Sequence, residues 1–572
     1  MKLIKLKIGE RFRSLPPNFE IKFQPDLERL DMLEFRPYCL VGLNGCGKSN
    51  VLEALAHIFY HLELCVSVNL PTRLQVGDIF SRTGGEIPVY HLEYLWYDVN
   101  TSTFDSREIK KVTIIKKANR APKMLLSSID NSKINNEAIS LEPSLNNEME
   151  AEGKKYLPQY VVAYSSGENE TLSIPFIKTR LLHLDEFREH TIRGYEGLPT
   201  AENGLIYVDA NMSQAILLCC LLFEDKQTLS NLRAFDKTGI LDIKQFRISL
   251  REHFLLFTKD RKDDTLSYFK LLWSTFFMSL KQCATMSWHD TSQNQHVIYF
   301  DFYVNESTKK AFREHFHSAI ECFQAFRLLY ELNYYKIDDT KEKEIYGSKG
   351  IYTEGKFALP GPEDDTFHFL DFFITKQVSI SGETKNILLK SFSDGEHQFI
   401  HTMAICLLLK DSDSLILLDE PETHFNPNWR SCFIRMLNES LKNGCLNSKK
   451  DVSTCNFLKE VLITSHSPFI ISDCLPQHVL ILRKDKNGNT KADTAAQESI
   501  KTYGSSVNIL TGEIFGNDDS IGQRAYQEMQ SIMNSDLNKS EAIAKINSRF
   551  GDSIDKLIVI RQLKENKNAI SI

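Results

Sequence analysis

The residues best able to do chemistry fall in one ten-residue stretch, 41–50, reading Val-Gly-Leu-Asn-Gly-Cys-Gly-Lys-Ser-Asn. Gly42 is followed, after four residues, by Gly47, Lys48 and Ser49, the full spacing of a phosphate-binding loop. Glycine backbones at Gly42, Gly45 and Gly47 let N–H groups curl around a polyphosphate, with Asn44 and Asn50 beside them. Lys48 would reach the outer phosphates, and the Ser49 hydroxyl would ligate magnesium. The flanks fit this use. Residues 37–41 read as a short buried strand, and 49–62 as an apolar-periodic helix whose N-terminal dipole would face the phosphates. The expected ligand is a nucleoside triphosphate.

A second set of residues supplies what such a loop needs to hydrolyse its ligand. Residues 415–418 are four aliphatics in a row, a buried parallel strand, and they end in Asp419-Glu420. Asp419 has the place of a magnesium-holding carboxylate, and Glu420 that of the group that orients or deprotonates the attacking water. Residues 460–464 repeat the pattern and end in Ser465-His466-Ser467, so the His466 ring N–H could contact the γ-phosphate. Polar residues at the C-terminal ends of adjacent strands are where α/β folds put their sites. Upstream, Ser393-Asp394-Gly395-Glu396 opens an apolar helix and forms a second anion-binding nest. It would be redundant beside the loop at 42–49, so its natural use is to face the nucleotide of a second chain.

The elements that position these groups read as an α/β protein. Alternating segments at 2–7 and 19–23 predict antiparallel strands flanking the loop strand, and 89–99 and 112–117 predict two more. Residues 118–155 carry few large apolar side chains and are expected to be a surface insertion, and 159–164 a strong β run. The first lobe is placed at 1–180. Between 181 and 364 helical periodicity dominates: Phe312, Phe316, Ala319, Phe323 and Phe326 step by 4, 3, 4 and 3. That run is too short for a coiled-coil arm and predicts a mainly helical inserted subdomain. Its aromatics, including Tyr299, Phe300, Phe302 and Tyr303, are expected in the core, and 336–349 as a charged linker. The second lobe is placed at 365–482, with a helix over 427–441, and a small C-terminal module at 483–572 with a helix over 520–534.

With 572 residues, the chain exceeds one hydrophobic core. Its 42% hydrophobic and 25% charged residues are ordinary for a soluble protein, and a net charge of −7 excludes a uniformly basic surface. The 12 cysteines contain no Cys-x-x-Cys pair, which argues against zinc and for reduced thiols in a cytoplasmic protein. No signal peptide and no run of about eighteen apolar residues is present, so neither secretion nor a membrane span is expected.

Taken in order, these motifs resemble ABC-type ATPases of the SMC, RecF and Rad-fifty kind, within the AAA-fifteen and OLD-like branch common in bacterial defence islands. Ser393-Asp394-Gly395-Glu396 resembles the signature loop, 415–420 the Walker B strand, 421–427 the D-loop and His466 the switch histidine. The resemblance implies an ABC-type head using ATP and Mg2+. It also implies a head-to-head dimer in which Ser393, Gly395 and Glu396 of one chain complete the site of the other. It further implies a glutamine as second magnesium ligand, for which Gln159 is the candidate. Length, the compact insertion and the absence of a fused nuclease liken the chain to the PtuA-like ATPases of Septu and retron anti-phage systems. That likeness implies a PtuB-like HNH nuclease in trans and a possible retron or target nucleic acid. His289 beside Asp290 makes no HNH site, and Asp518-Asp519 in a polar stretch makes no Toprim site. A RecF-like repair ATPase clamping DNA is the alternative, with Arg107, Lys110, Lys111, Lys116, Lys117, Arg120 and Lys123 as its candidate basic run. A scaffold with a vestigial ATPase is disfavoured by the intact Lys48-Ser49 and Asp419-Glu420.

Overall fold

The computed structural model describes the chain apart from residues 24–34, 69, 71–73, 75–79, 99–107, 129–135, 144–150, 168, 193–203, 252–276, 292–296, 335–338, 349–365, 447–458, 517–520 and 566–572. Strands β1 (Lys2–Ile8) and β2 (Phe19–Lys22) precede β3 (Tyr38–Val41), which runs into the glycine loop and helix α1 (Lys48–Val66). Then come β4 (Tyr90–Trp96), β5 (Lys110–Lys116), β6 (Lys123–Ser128), β7 (Glu137–Ile139) and β8 (Tyr160–Ser165). Helix α2 (Glu170–Ile192), β9 (Leu205–Tyr207), α3 (Ala210–Phe223), β10 (Ile240–Arg251), β11 (Met286–Asp290) and β12 (Val297–Tyr303) follow. Helices α4 (Glu306–His315), α5 (Ala319–Glu331) and α6 (Asp339–Gly347) lead to β13 (Phe367–Gln377) and β14 (Thr384–Leu388). The chain then forms α7 (Asp394–Leu408), β15 (Ser414–Asp419), α8 (Pro427–Leu446), β16 (Lys459–Thr464), β17 (Val479–Lys484) and β18 (Thr490–Thr494). It ends in α9 (Val507–Phe515), α10 (Gln523–Met533), α11 (Lys539–Arg549) and α12 (Ile554–Glu565).

Among the described residues the strands form three sheets. The central one runs β18-β17-β3-β16-β15-β8-β9 and is parallel from β17 to β9. Strand alternation sends its side chains into two cores. Ile416 and Leu418 of β15 pack with Val162, Ile463 and helices α3, α5, α7 and α8, while Leu415 and Leu417 pack with Leu40, Leu462 and α1. Every residue of β15 and β16 is buried. Burying each aliphatic side chain contributes about 1.5–3 kcal/mol, and this burial holds the carboxyl-bearing strand end in place.

The strands expected at 2–7 and 19–23 exist, but they do not flank β3. They belong to a separate antiparallel sheet, β2-β1-β4-β5-β6-β7, which closes over α1. The polar insertion at 118–155 supplies two of its strands, β6 and β7, and residues 129–135 and 144–150 of that insertion lie outside the described residues. Nor is the basic run one patch: Lys116 is 1% exposed and donates to the carbonyls of Thr83, Pro88 and Arg120, and Lys111 pairs with Glu93 at 2.7 Å. Arg107 lies outside the described residues.

The region at 181–364 holds the expected helices, but its β10, β11 and β12 also join β13 and β14 from beyond residue 364 in a third sheet, antiparallel in the order β11-β12-β10-β13-β14. Phe312, Phe316, Ala319, Phe323 and Phe326 are all buried, yet two helices carry them: the first ends at Phe316 and Ser318 caps the second. Phe300 and Phe302 join this core, and Phe302 stacks on Phe246 at 4.3 Å. Tyr299 and Tyr303 point to the other face, where Tyr299 stacks on Trp288 and Tyr303 is 54% exposed. Part of the expected 336–349 linker is α6. At the C-terminus α10, α11 and α12 bury Met529, Ile532, Ala542, Ile546, Val559 and Leu563 in a core of their own, and Asp518-Asp519 lie outside the described residues. The described cysteines are free thiols, all buried.

Candidate nucleotide-hydrolysing site

Four neighbouring strands, β3, β16, β15 and β8, end on one edge of the central sheet, and each contributes a loop to one site. From β3 the loop turns through Gly42, Gly45 and Gly47, with φ of 142°, 74° and 98°. These values favour glycine. A Cβ on Gly42 would lie 2.2 Å from the Leu482 carbonyl, and one on Gly47 would lie 2.6 Å from Ser14 Oγ. Asn44 and Gly45 stand exposed at the loop tip. Lys48 Nζ folds back to donate to the carbonyls of Gly42 and Leu43 at 3.2 and 3.3 Å. The ammonium therefore lies within the loop that would wrap the phosphates. The Asn50 side chain is engaged elsewhere: it accepts from Ser14 Oγ at 2.6 Å and donates to Glu53 at 3.1 Å.

The Asp419 carboxylate is the hub. Its Oδ1 accepts from Ser49 Oγ at 2.8 Å and from Thr464 Oγ1 at 2.6 Å, and its Oδ2 accepts from Asn169 Nδ2 at 2.8 Å. Sequence reasoning missed Asn169, and Gln159 does not belong to the site. β8 and β15 pair in parallel with Ser165 opposite Asp419 and Tyr160 opposite Ser414. Gln159 therefore lies before the strand, about 20 Å from Asp419 at the strand rise per residue. A side chain near the metal must follow the strand's C-terminal end, as Asn169 does. The donors around Asp419 are oxygen and amide groups suited to a hard cation. Among the described residues no cluster of three or more His, Cys, Asp or Glu offers a self-sufficient metal site. Mg2+ fits this arrangement because it binds through one or two protein oxygens together with phosphate and water; Ser49 and Asp419 would hold it.

Glu420 and His466 meet at 3.3 Å between Oε1 and Nε2. The hydrogen bond from His466 holds the Glu420 carboxyl below the usual carboxylate range against partial burial, and Lys48 adds to the effect. The His466 ring stacks on Phe515 of α9 at 6.0 Å between centroids. Beside them Glu422, 4% exposed, accepts from Ser465 Oγ, and its Oε2 has no partner among the described residues. Burial pushes this carboxyl up to about 7, with Glu420 adding to the rise. A cavity of about 520 Å³ opens between Ser165, Ser166, Asn169, Asp419, Glu420 and Thr423.

The turn at 393–396 begins α7. Ser393 and Asp394 are exposed, and Ser393 and Glu396 form a reciprocal capping box. Glu396 also pairs with Lys376, whose ammonium holds its carboxyl low despite burial. Glu396 thus serves its own helix, together with Ser393.

A family model described as an AAA ATPase domain matches residues 1–471. The chain belongs to that family. Three structures are similar to it: an SmcHead bound to the C-winged helix domain of ScpA (9% identity, TM-score 0.30), an Smc head domain with an extended coiled coil bound to the C-terminal domain of ScpA from Pyrococcus furiosus (13%, 0.31), and an Smc head domain with a coiled coil and joint from Pyrococcus yayanosii (11%, 0.28). Each match covers 87% of this chain and 98–100% of the other. No curated protein matches the chain. By its family the chain is an ATPase, and the loop at 42–49 with Asp419-Glu420 is its candidate site.

Asn169 gives the metal its own test. Replacing an outer partner of a metal ligand costs about 10–100-fold in metal affinity. Asn169→Ala should accordingly raise the Mg2+ concentration for half-maximal phosphate release about tenfold or more, at saturating ATP. An unchanged Mg2+ titration would remove Asn169 from the site.

Proposed function

We propose that this ATPase works as a head-to-head dimer that binds two ATP molecules and controls a separate HNH-type nuclease in the cytoplasm as part of an anti-phage defence complex. The observation that carries the dimer is the turn at 393–395. Ser393 and Asp394 stand exposed at the start of a 15-residue helix, where Ser393 and Glu396 cap each other, on a chain whose own phosphate loop already provides an anion site. An exposed second nest suits the nucleotide of another copy. The nuclease and defence roles rest on the likeness to PtuA-like ATPases, and the burial of Lys116 and the pairing of Lys111 with Glu93 take two residues out of the basic run that direct DNA clamping would use.

In this reading Lys48 neutralises the β- and γ-phosphates and Glu420 orients the attacking water, receiving its proton, while His466 steadies the Glu420 carboxylate and meets the γ-phosphate. Mg2+, which Ser49 and Asp419 would hold, would supply charge neutralisation to the phosphates. Ser393 and Gly395 of the second copy close the cage, and loss of the γ-phosphate loosens the dimer.

Light scattering with and without ATP tests this. ATP should double the mass of the protein, and the doubled species should retain an HNH nuclease co-expressed with it. Ser393→Arg should leave ATP binding in place and abolish the doubling, at a cost of about 1 kcal/mol from the lost helix cap. A Ser393→Arg protein that still dimerises with ATP would refute the proposed interface.

A further inference from the structure

Glu420 holds a backbone conformation that needs external support. Its φ is 49°, in the left-handed region, which costs a residue bearing a Cβ about 1–2 kcal/mol. Its N–H donates to Thr464, to the carbonyl at 3.2 Å and the hydroxyl at 3.0 Å. Its carbonyl accepts from Thr423 Oγ1 at 2.9 Å and from Gln398 Nε2 at 3.4 Å. Gln398 also accepts, through Oε1, the N–H of His424 at 2.9 Å. One amide therefore spans the turn from Glu420 to His424. Gln398 is 2% exposed, on the first turns of α7, where an apolar residue would suit the helix core better. Three residues earlier on that helix, Gly395 backs onto the same turn: a Cβ there would lie 2.8 Å from the His424 carbonyl. Two independent contacts, one polar and one steric, fix the 420–424 turn to the helix that begins at Ser393.

We propose that Gln398 is a positioning residue for hydrolysis, holding the Glu420 turn at the distance from the γ-phosphate that in-line attack needs and tying it to the turn at 393–395. A buried amide whose two ends meet a carbonyl and an N–H of one turn fixes both position and orientation, which no apolar side chain at that place could do. The inference rests on the reading of Glu420 as the group that directs water. It adds a consequence: a displacement of the 393–395 turn by any ligand moves Glu420 of the same chain.

Gln398→Met keeps the length and burial but removes both hydrogen bonds. Misplacement of a reacting group by about 1 Å costs about 10²-fold, so kcat should fall about 10–100-fold while KM and ATP affinity stay within about threefold. Gln398→Glu, which keeps the acceptor for His424 but loses the donor to Glu420, should recover part of the loss. Thermal unfolding of both variants should remain cooperative. Normal kcat in Gln398→Met would overturn the inference, as would a parallel loss of ATP affinity and unfolding temperature that marks a merely structural role. Glu420→Gln measured alongside separates the two levels. If it hydrolyses ATP normally, the reading of Glu420 fails; if it is inactive while Gln398→Met is normal, only the role of Gln398 fails.

Discussion

Glu420→Gln is expected to lower steady-state ATP hydrolysis by about 10²–10⁴-fold, the range that a positioned general base contributes. Glutamine keeps the side-chain shape and can still bond to His466, so the 3.3 Å contact survives in altered form. It cannot accept a proton from water. The lowered pKa of Glu420, set first by the hydrogen bond from His466, means that the native group is ionised and ready as a base at neutral pH. ATP binding should persist, because Lys48, Ser49 and Asp419 are untouched and Asp419 keeps its three donors. If the dimer is closed by the γ-phosphate, the variant should accumulate as an ATP-bound double-mass species that decays far more slowly than the wild type. Phosphate release and light scattering on one sample read both quantities. Turnover within about threefold of wild type would reject Glu420 as the hydrolytic residue, far outside the loss expected of a base.

Much of this site was legible in the sequence because its chemistry depends on residue identity at short, fixed spacing. Gly42, Gly47, Lys48 and Ser49 declare themselves within eight positions, and the four aliphatics before Asp419 announce a strand that can only be buried. The partners that long-range pairing alone brings in were not legible. Asn169 stands four residues beyond a strand end and looks like any loop asparagine; only the register of β8 against β15 places it on Asp419. The same register excludes Gln159, which precedes the strand. The third sheet escaped notice for a related reason. β10 pairs with β13 across more than a hundred residues, whereas the helical period at 312–326 is local and visible. Gln398 resembles a chance polar residue in an apolar helix until its two hydrogen bonds are seen.

Glu422 belongs to this group of residues that only the fold explains, and it leads to the second large effect. Its carboxyl is buried beside Glu420, with Ser465 as donor and Arg430 nearby, and burial pushes it up to about 7 from an ordinary 4.5. Because the folded-state value is the higher one, the folded protein holds a proton there between about pH 4.5 and 7 that the unfolded chain has released. Stability from this group is thus fully present below the unfolded value and is lost as pH rises through 7. The loss totals about 3 kcal/mol, from about 1.4 kcal/mol per pKa unit. Glu422→Gln stays neutral throughout. Its amide can accept from Ser465, but it places an N–H where Oε2 has no partner among the described residues, a pH-independent cost of about 1–3 kcal/mol. The decisive quantity is therefore the slope. Relative to wild type, the variant should gain about 2–3 kcal/mol in urea unfolding between pH 5 and pH 8. The raised carboxyls of Glu53 and Glu460 titrate in both proteins and cancel in the difference. A pH-independent gap would show that Glu422 is ionised in the folded protein, with Ser465 and the neighbouring backbone N–H groups stabilising its charge.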